Sequence, residues 1–400
     1  MRVLQLTYRV PFPPTDGGAI GIYNITKGLS ENGCTIDLVA INTPKHAQPK
    51  DAMKQVVNKQ VDVFVDTSIS LFKLLGSVLF RKTPYNVERF ISKDVEETLI
   101  DLLQENTYDF IQVEGAFVAH YITVIKQHCT APILVRTHNI EYVIWQRLAI
   151  NEKNPLKQWF YKHLAKRLKR FETTYYNLAD GIAAITPEDQ QRLNEMGVHK
   201  PISVIPAGVD LSASQVEFLI QQEVDSVFII SALDWEPNIE GLKWFLDNVW
   251  SVLITKKPSI RLHIAGKSTP EWLKNSNIPQ ATIHGFVDDA KMFKNAYQLM
   301  LVPLLSGGGM RVKIVEGLAL GKCIISTTIG AEGINYTDQQ NIVIADTPDE
   351  WIDRIIFYLE NETARRAIES EAKKLAFEEY DNKAVTRKYI DLYNQVVKHG

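Results

Sequence analysis

The sequence predicts an α/β protein built from two doubly wound domains, and three observations carry that expectation. Short apolar, β-rich runs alternate with amphipathic segments along the chain. The alternation occurs on both sides of a proline- and glycine-containing break near residues 205–210, and 400 residues with 45% apolar side chains exceed what one hydrophobic core usually holds. The candidate strands are residues 3–6, 36–41, 110–113, 133–135 and 182–185 in the first half. In the second half they are 227–231, 262–265, 299–302, 323–326 and 342–344.

The order strand, segment, strand predicts parallel sheets covered on both faces, hence two Rossmann-like domains facing a central cleft. Their expected limits are 1–206 and 207–375. A final stretch reads as helix over 371–398, and residues 376–400 are expected to pack back toward the first domain. Ligands of such sheets sit beyond the carboxyl ends of the strands, so the loops that follow the strands are where chemistry is sought.

Composition narrows the classes. A formal net charge of −3 and a pI near 6.3 argue against nucleic acid as the principal partner. Cys34, Cys129 and Cys323 are far apart and follow no metal-ligand spacing, which suits a reducing compartment. The N-terminal apolar run is too short for a signal peptide, and no window approaches the ~18 apolar residues of a membrane span. The expectation is a cytoplasmic protein, soluble or peripheral on the inner face of the membrane.

The most informative stretch runs from Ser306 to Lys322. After the apolar run 299–302 and Pro303 come Gly307, Gly308 and Gly309, and then Ile314, Val315, Leu318 and Ala319 at helical spacing. Glycines let a backbone approach a ligand closely, and the free N–H groups of a helix's first turn attract anions. Arg311 and Lys313 supply charge for a diphosphate. Were both helical they would stand about 200° apart, so Arg311 is placed at the loop junction. Glu316, one turn beyond Lys313, offers acceptor oxygens at the depth of a ribose diol. A sugar nucleotide suits this arrangement. The competing reading is a Lys313–Glu316 surface pair beside glycines that only turn the chain.

Two further segments stand out. Residues 154–180 read as a basic and aromatic helix that could rest on anionic lipid or be a solvated helix docked on its own domain. Residues 71–82 are more apolar and end in cations; they could cradle a lipid-linked acceptor or pack in the core.

Together these marks resemble the GT-B glycosyltransferases, specifically the retaining family 4 group, also called glycosyl transferases group 1. The resemblance rests on Pro11-Phe12-Pro13-Pro14-Thr15-Asp16-Gly17-Gly18, on Thr137-His138-Asn139-Ile140-Glu141, on Val204-Ile205-Pro206-Ala207-Gly208-Val209-Asp210 and on the stretch ending at Glu316. It implies transfer of a sugar from a nucleoside diphosphate sugar to a sugar or lipid-linked acceptor with retention, in surface polysaccharide or glycolipid synthesis. No cofactor and no metal are expected. It also implies a carboxylate eight positions before Glu316, where this chain has Gly308. Relatives further carry cations in the loop matching 231–238, where this chain has none, so Arg311 and Lys313 are the expected replacements with Asn238 as a polar contact.

On that basis the expected donor-binding residues are Gly17, Gly18, Asn238, Gly308, Gly309, Arg311, Lys313, Glu316 and Glu332. The expected catalytic residues are Arg311, Lys313, Glu114 and His138. Tyr8 and Asp16 are expected near the acceptor, with Asn139 and Glu141 as weaker candidates. Several of these residues have plain structural readings too. Gly17 and Gly18 could be a turn before a helix, Glu114 could cap the helix after Gly115, His138 could bond a carbonyl, and Glu332 could lie in a surface loop. Rival functions are a sugar-nucleotide epimerase of the same architecture and a non-catalytic binding scaffold.

Overall fold

The computed structural model describes residues 1–68, 83–211 and 221–399, so the segment 71–82 lies outside the described residues. The chain divides into two compact units. One comprises Met1–Gly208, Gly308–Met310 and Asn382–Gly400, the other Val209–Gly307 and Arg311–Asp381.

The first unit holds a parallel sheet of β1 (Arg2–Thr7), β2 (Thr35–Asn42), β3 (Lys59–Phe64), β4 (Phe110–Glu114), β5 (Ile133–Arg136), β6 (Gly181–Ala184) and β7 (Ile202–Val204), ordered β3-β2-β1-β4-β5-β6-β7. Side chains of β1 and β4 alternate between two cores. Leu4, Leu6, Ile111 and Val113 meet the helices Lys93–Glu105, Ile122–His128 and Pro155–Tyr176. Val3 and Phe110 meet the helices Gly17–Glu31 and Asn382–His399. Burial on both faces explains the nearly continuous apolar runs.

The second unit repeats the scheme with β8 (Glu223–Ile230), β9 (Arg261–Ala265), β10 (Ala281–Gly285), β11 (Tyr297–Val302), β12 (Cys323–Ser326) and β13 (Val343–Ile344), ordered β10-β9-β8-β11-β12-β13 and parallel throughout. Every residue of β11 is buried. In both sheets the strand order reverses once, between β1 and β4 and between β8 and β11. There the loops leaving adjacent strands diverge to opposite faces and leave room for a ligand.

Three strands escaped the sequence reading: β3, β7 and β10. Each ends its sheet, and each is only partly buried, with polar residues between the apolar ones. An edge strand lacks the unbroken hydrophobic signal of a central one. The single helix expected over 371–398 is instead two, Glu362–Glu379 and Asn382–His399. They are separated where Val209 N–H donates to the Tyr380 carbonyl (2.9 Å) and Val209 bridges Asp381. That contact takes up backbone groups which a continuous helix would need.

Among the described residues no helix is long and apolar enough to cross a membrane. In the first unit, helix Gly17–Glu31 lies so close to Asn382–His399 that a Cβ on Gly28 would stand 2.1 Å from Thr386 Oγ1. Gly28→Val is therefore expected to destabilise the protein by about 1–3 kcal/mol in denaturant unfolding. Adding Thr386→Ala should recover part of the loss; an unchanged midpoint for the single variant would contradict the packing.

Candidate functional site

In the first unit the switch point is marked by charge. Thr7, Glu114 and Arg136 stand side by side at the carboxyl ends of β1, β4 and β5. Glu114 is 0% exposed, and its oxygens are taken on several sides. Oε1 accepts from Gln5 Nε2 (3.0 Å) and from Gln112; Oε2 lies 2.8 Å from His138 Nε2 and 3.3 Å from Arg136 Nη1. The network continues through Gln5 to Thr26 and through Gln112 to Tyr393. Burial pushes the Glu114 carboxyl up, but Arg136, His138 and Gln112 outweigh it and hold it at about 2.

Glu114 is thus a fixed internal anion that acts on its surroundings through His138. It does not cap the following short helix Ala116–Tyr121, whose N-terminus has no side-chain cap. Burial lowers the His138 pKa and Arg136 adds to this, while Glu114 opposes both. A neutral ring that faces a carboxylate through Nε2 carries its proton there, which leaves Nδ1 with a lone pair. Tyr8 packs edge-on against the same ring, with centroids 5.8 Å apart.

Around this centre the expected residues take up specific work. Asp16 caps helix Gly17–Glu31 by accepting from Gly18 N (3.1 Å) and Ala19 N (3.2 Å), and it pairs with Arg9 Nη1 at 2.8 Å. The Gly18 amide is thereby engaged by a carboxylate, while Gly17 is exposed at the helix start. A Cβ on Gly18 would stand 2.6 Å from the Tyr8 hydroxyl, so glycine also makes room there. Glu141 begins helix Glu141–Asn151, whose first N–H groups at Glu141 and Tyr142 donate to buried Glu172 at 2.8 and 3.1 Å. Burial raises the Glu141 carboxyl to about 7 despite its bond to Asn139.

Gly308 and Gly309 group with this first unit. Gly309 has φ +67°, and a Cβ there would lie 2.5 Å from the His138 carbonyl oxygen. With the Asn139 amide turned so that its nitrogen faces carbonyls, it donates to His138 O at 3.0 Å and Gly308 O at 2.7 Å. The close approach that Gly309 permits is therefore to the His138–Asn139 backbone, whereas a Cβ on Gly308 would stand 3.4 Å from Ile144 and 3.8 Å from the Ile140 carbonyl oxygen.

In the second unit the loops after β8 and β11 bring the cations together. Arg311 is the N-cap of helix Val312–Ala319, with extended backbone, so it stands at the loop junction. Its guanidinium lies over Trp235 at 5.6 Å, and Gly307 beside it has no room for a Cβ, which would come within 2.8 Å of Arg311 Nη2. Lys313 donates to Asn238 Oδ1 at 3.1 Å, while Asn238 Nδ2 donates to the Ala232 carbonyl at 2.8 Å. Asn238 reaches this place because helix Glu236–Phe245 sits directly on Pro303, where a Cβ on Gly241 would meet the carbonyl oxygen at 2.0 Å. No side chain caps the first turn of helix Val312–Ala319.

Glu316 does not take Lys313 as its partner. It accepts from Lys294 Nζ at 2.6 Å and stays 31% exposed. Burial pushes the Lys313 amine down, and Arg311 and Lys294 push it further, to about 7. Glu332 lies partly buried in the turn after β12, its N–H donating to Ile329 O at 3.3 Å. Lys294 and Trp235 are the functional candidates that sequence reasoning missed. Lys294 sits on the short helix Ala290–Ala296, one strand before the Ser306–Lys322 stretch, and nothing local marks it. Trp235 could have been suspected as an aromatic residue in a loop directly after a strand.

Comparisons with known proteins bear on the family and the fold. Residues 15–213 match Glycosyltransferase Family 4, and residues 225–361 match Glycosyl transferases group 1. An uncharacterised 44.6 kDa protein in the cps region of Klebsiella pneumoniae is 22% identical over 397 residues, covering 96% of this chain and 97% of that protein. Among solved structures, the sucrose-phosphate synthase of Thermosynechococcus elongatus superposes with a TM-score of 0.72 at 14% identity, covering all of both chains. HepE of Anabaena, in complex with UDP-glucose, does so at 0.67 and 15% identity, covering 99% of this chain and 100% of that one.

The Glu114 cluster yields a stability test. Its folded carboxyl at about 2 lies below its ordinary value of 4.5, so the stabilisation is present above about 4.5 and is lost as pH falls toward 2. Glu114→Gln leaves the Arg136 guanidinium buried without its counter-charge and is expected to cost about 3–5 kcal/mol at pH 7. The gap to the natural protein should close on acidification. A gap that is constant between pH 5 and pH 2.5 in urea titrations would refute the assignment.

Proposed function

We propose that this chain, which belongs to the GT-B glycosyltransferases, moves a sugar from a nucleoside diphosphate sugar to an acceptor hydroxyl with retention, in the synthesis of a cell-surface polysaccharide. The observation that carries the donor assignment is the cation cluster at the β8/β11 switch point: Arg311 and Lys313, with Lys294 close behind and Asn238 holding the Lys313 amine. Like charges gathered in a low-dielectric place repel one another and are stabilised by an anion. A diphosphate fits the need. The HepE complex with UDP-glucose supports a uridine donor, and the cps-region relative supports the polysaccharide role.

In the reaction the bond from the anomeric carbon to the β-phosphate oxygen breaks and a bond to the acceptor oxygen forms on the same face. The acceptor's proton passes to the departing phosphate. Arg311, Lys313 and the uncapped start of helix Val312–Ala319 stabilise the charge that collects on that phosphate. Glu316, half engaged by Lys294, has an oxygen to spare for the ribose. In the first unit the His138 Nδ1 lone pair, held in place by Glu114, orients the acceptor hydroxyl.

Two measurements test the reading. Incubation with UDP-glucose, UDP-galactose, UDP-N-acetylglucosamine and GDP-mannose should show protection against thermal unfolding by at least one donor. Lys313→Ala should weaken that donor roughly tenfold to a hundredfold, the loss expected for a charge-assisted contact of about 1.5–3 kcal/mol. Product analysis by NMR without acceptor separates hydrolysis from epimerisation, and with acceptor it reports the anomeric configuration. No response to any donor would sink the proposal.

The second test is pH dependence. Because the free Lys313 amine sits at about 7 and not at its ordinary 10.5, binding of an anion above pH 7 must take up a proton. Donor affinity is expected to fall as pH rises above 7, and calorimetry in buffers of different ionisation enthalpy should record the uptake. Lys313→Ala should flatten both; proton uptake that survives the substitution would assign the effect elsewhere.

A further inference from the structure

The helix Pro155–Tyr176 is buried unevenly. Its second half packs into the first unit through Leu164, Ala165, Leu168, Phe171, Glu172 and Tyr176, but none of residues 155–163 is fully buried. At this free end the chain displays large apolar side chains: Leu156 is 79% exposed, Trp159 58%, and Ile150, on the preceding helix Glu141–Asn151, 71%. Three such residues within ten positions, all turned to solvent, lose hydrophobic burial for no gain within the unit. Trp159 is also held in place, its ring stacked on His163 at 5.4 Å.

Charge surrounds these side chains with one sign. Residues 147–170 contain eight lysines and arginines and one acid, Glu152, in a chain whose formal net charge is −3. Lys153, Lys157, Lys162, Lys166, Lys169 and Arg170 are exposed. At about 100° per residue, Trp159, Lys162, Lys166, Lys169 and Arg170 fall on one side of the helix, beside Leu156 at its tip. Cations along a stripe that begins in an aromatic and aliphatic tip match a surface that is anionic outside and apolar beneath. A protein partner would have to supply a concave apolar pocket ringed by acids to do the same.

We propose that this face docks on an anionic lipid bilayer, with Ile150, Leu156 and Trp159 inserted at the boundary and the lysine stripe lying along the headgroups. The inference stands apart from the donor chemistry, since none of these residues belongs to either candidate centre. Docking would bring the first unit to a lipid-borne acceptor.

The test uses the full chain and flotation with vesicles of phosphatidylcholine alone or with phosphatidylglycerol. Binding is expected only to the anionic vesicles and should weaken with added salt. Each of Lys162→Gln, Lys166→Gln and Lys169→Gln should lower the partition coefficient roughly fivefold. Leu156→Ser with Trp159→Ser should abolish flotation with the anionic vesicles, while donor protection in thermal unfolding stays unchanged. Equal partition into neutral vesicles, or binding unaffected by both sets of substitutions, would overturn the proposal. So would a dimer in sedimentation that dissociates on the Leu156 and Trp159 changes, because the face would then be a contact between copies.

Discussion

Strand order is the constraint from which the rest follows. Each sheet grows outward from its first strand in one direction and restarts on the other side, so β1 lies beside β4 and β8 beside β11. Consecutive parallel strands need crossover helices, and the right-handed rule sends those helices to opposite faces on the two sides of the restart. The loops leaving the restart pair cannot cover each other. In both units this is where the charged residues gather: Glu114, Arg136 and His138 in one, Arg311 and Lys313 in the other. Topology fixes the place before any side chain chooses its chemistry.

The two centres handle charge in opposite ways. In the first unit a buried carboxylate is fully compensated, by Arg136, by the His138 ring and by two amides, and so remains ionised far below its ordinary range. Such an anion is unsuited to exchanging protons near neutrality; its value is to fix a tautomer and a ring orientation in its neighbour. In the second unit the compensation is deliberately incomplete in the physical sense: Lys294 has Glu316, whereas Lys313 has the neutral oxygen of Asn238. The amine is held at a point where modest changes in nearby charge alter its protonation.

The central strands, and Arg311 as the residue that precedes the helix, were legible because burial on both faces and 3.6-residue spacing leave periodic marks in the sequence. Edge strands β3, β7 and β10 were not, since one flank meets water and their polar residues break the run. Lys294 was invisible for a different reason. Its partnership with Glu316 crosses 22 positions, from one helix to another, and neither residue carries a local sign of it. Glu114 was seen as a strand-end carboxylate, but its burial could have been suspected from Gln112 two positions earlier. Two polar residues of the same parity in an apolar strand face the same side, and a buried side chain of either kind demands partners. The glycines at 308 and 309 were read as room for phosphate, whereas the atoms nearest to a Cβ at 309 are the His138 carbonyl and Asn139.

The partly discharged Lys313 also bears on how the proposed reaction is accelerated. A site that bound the intact donor with full strength would lower the ground state as much as the transition state and gain nothing in turnover. In the donor the diphosphate charge is shared across an ester; as the glycosidic bond lengthens, the leaving phosphate becomes more anionic. An amine near its titration point at neutral pH responds to that increase by holding its proton more firmly, so its interaction strengthens along the reaction coordinate. Arg311, which keeps its charge throughout, supplies the constant part of the attraction.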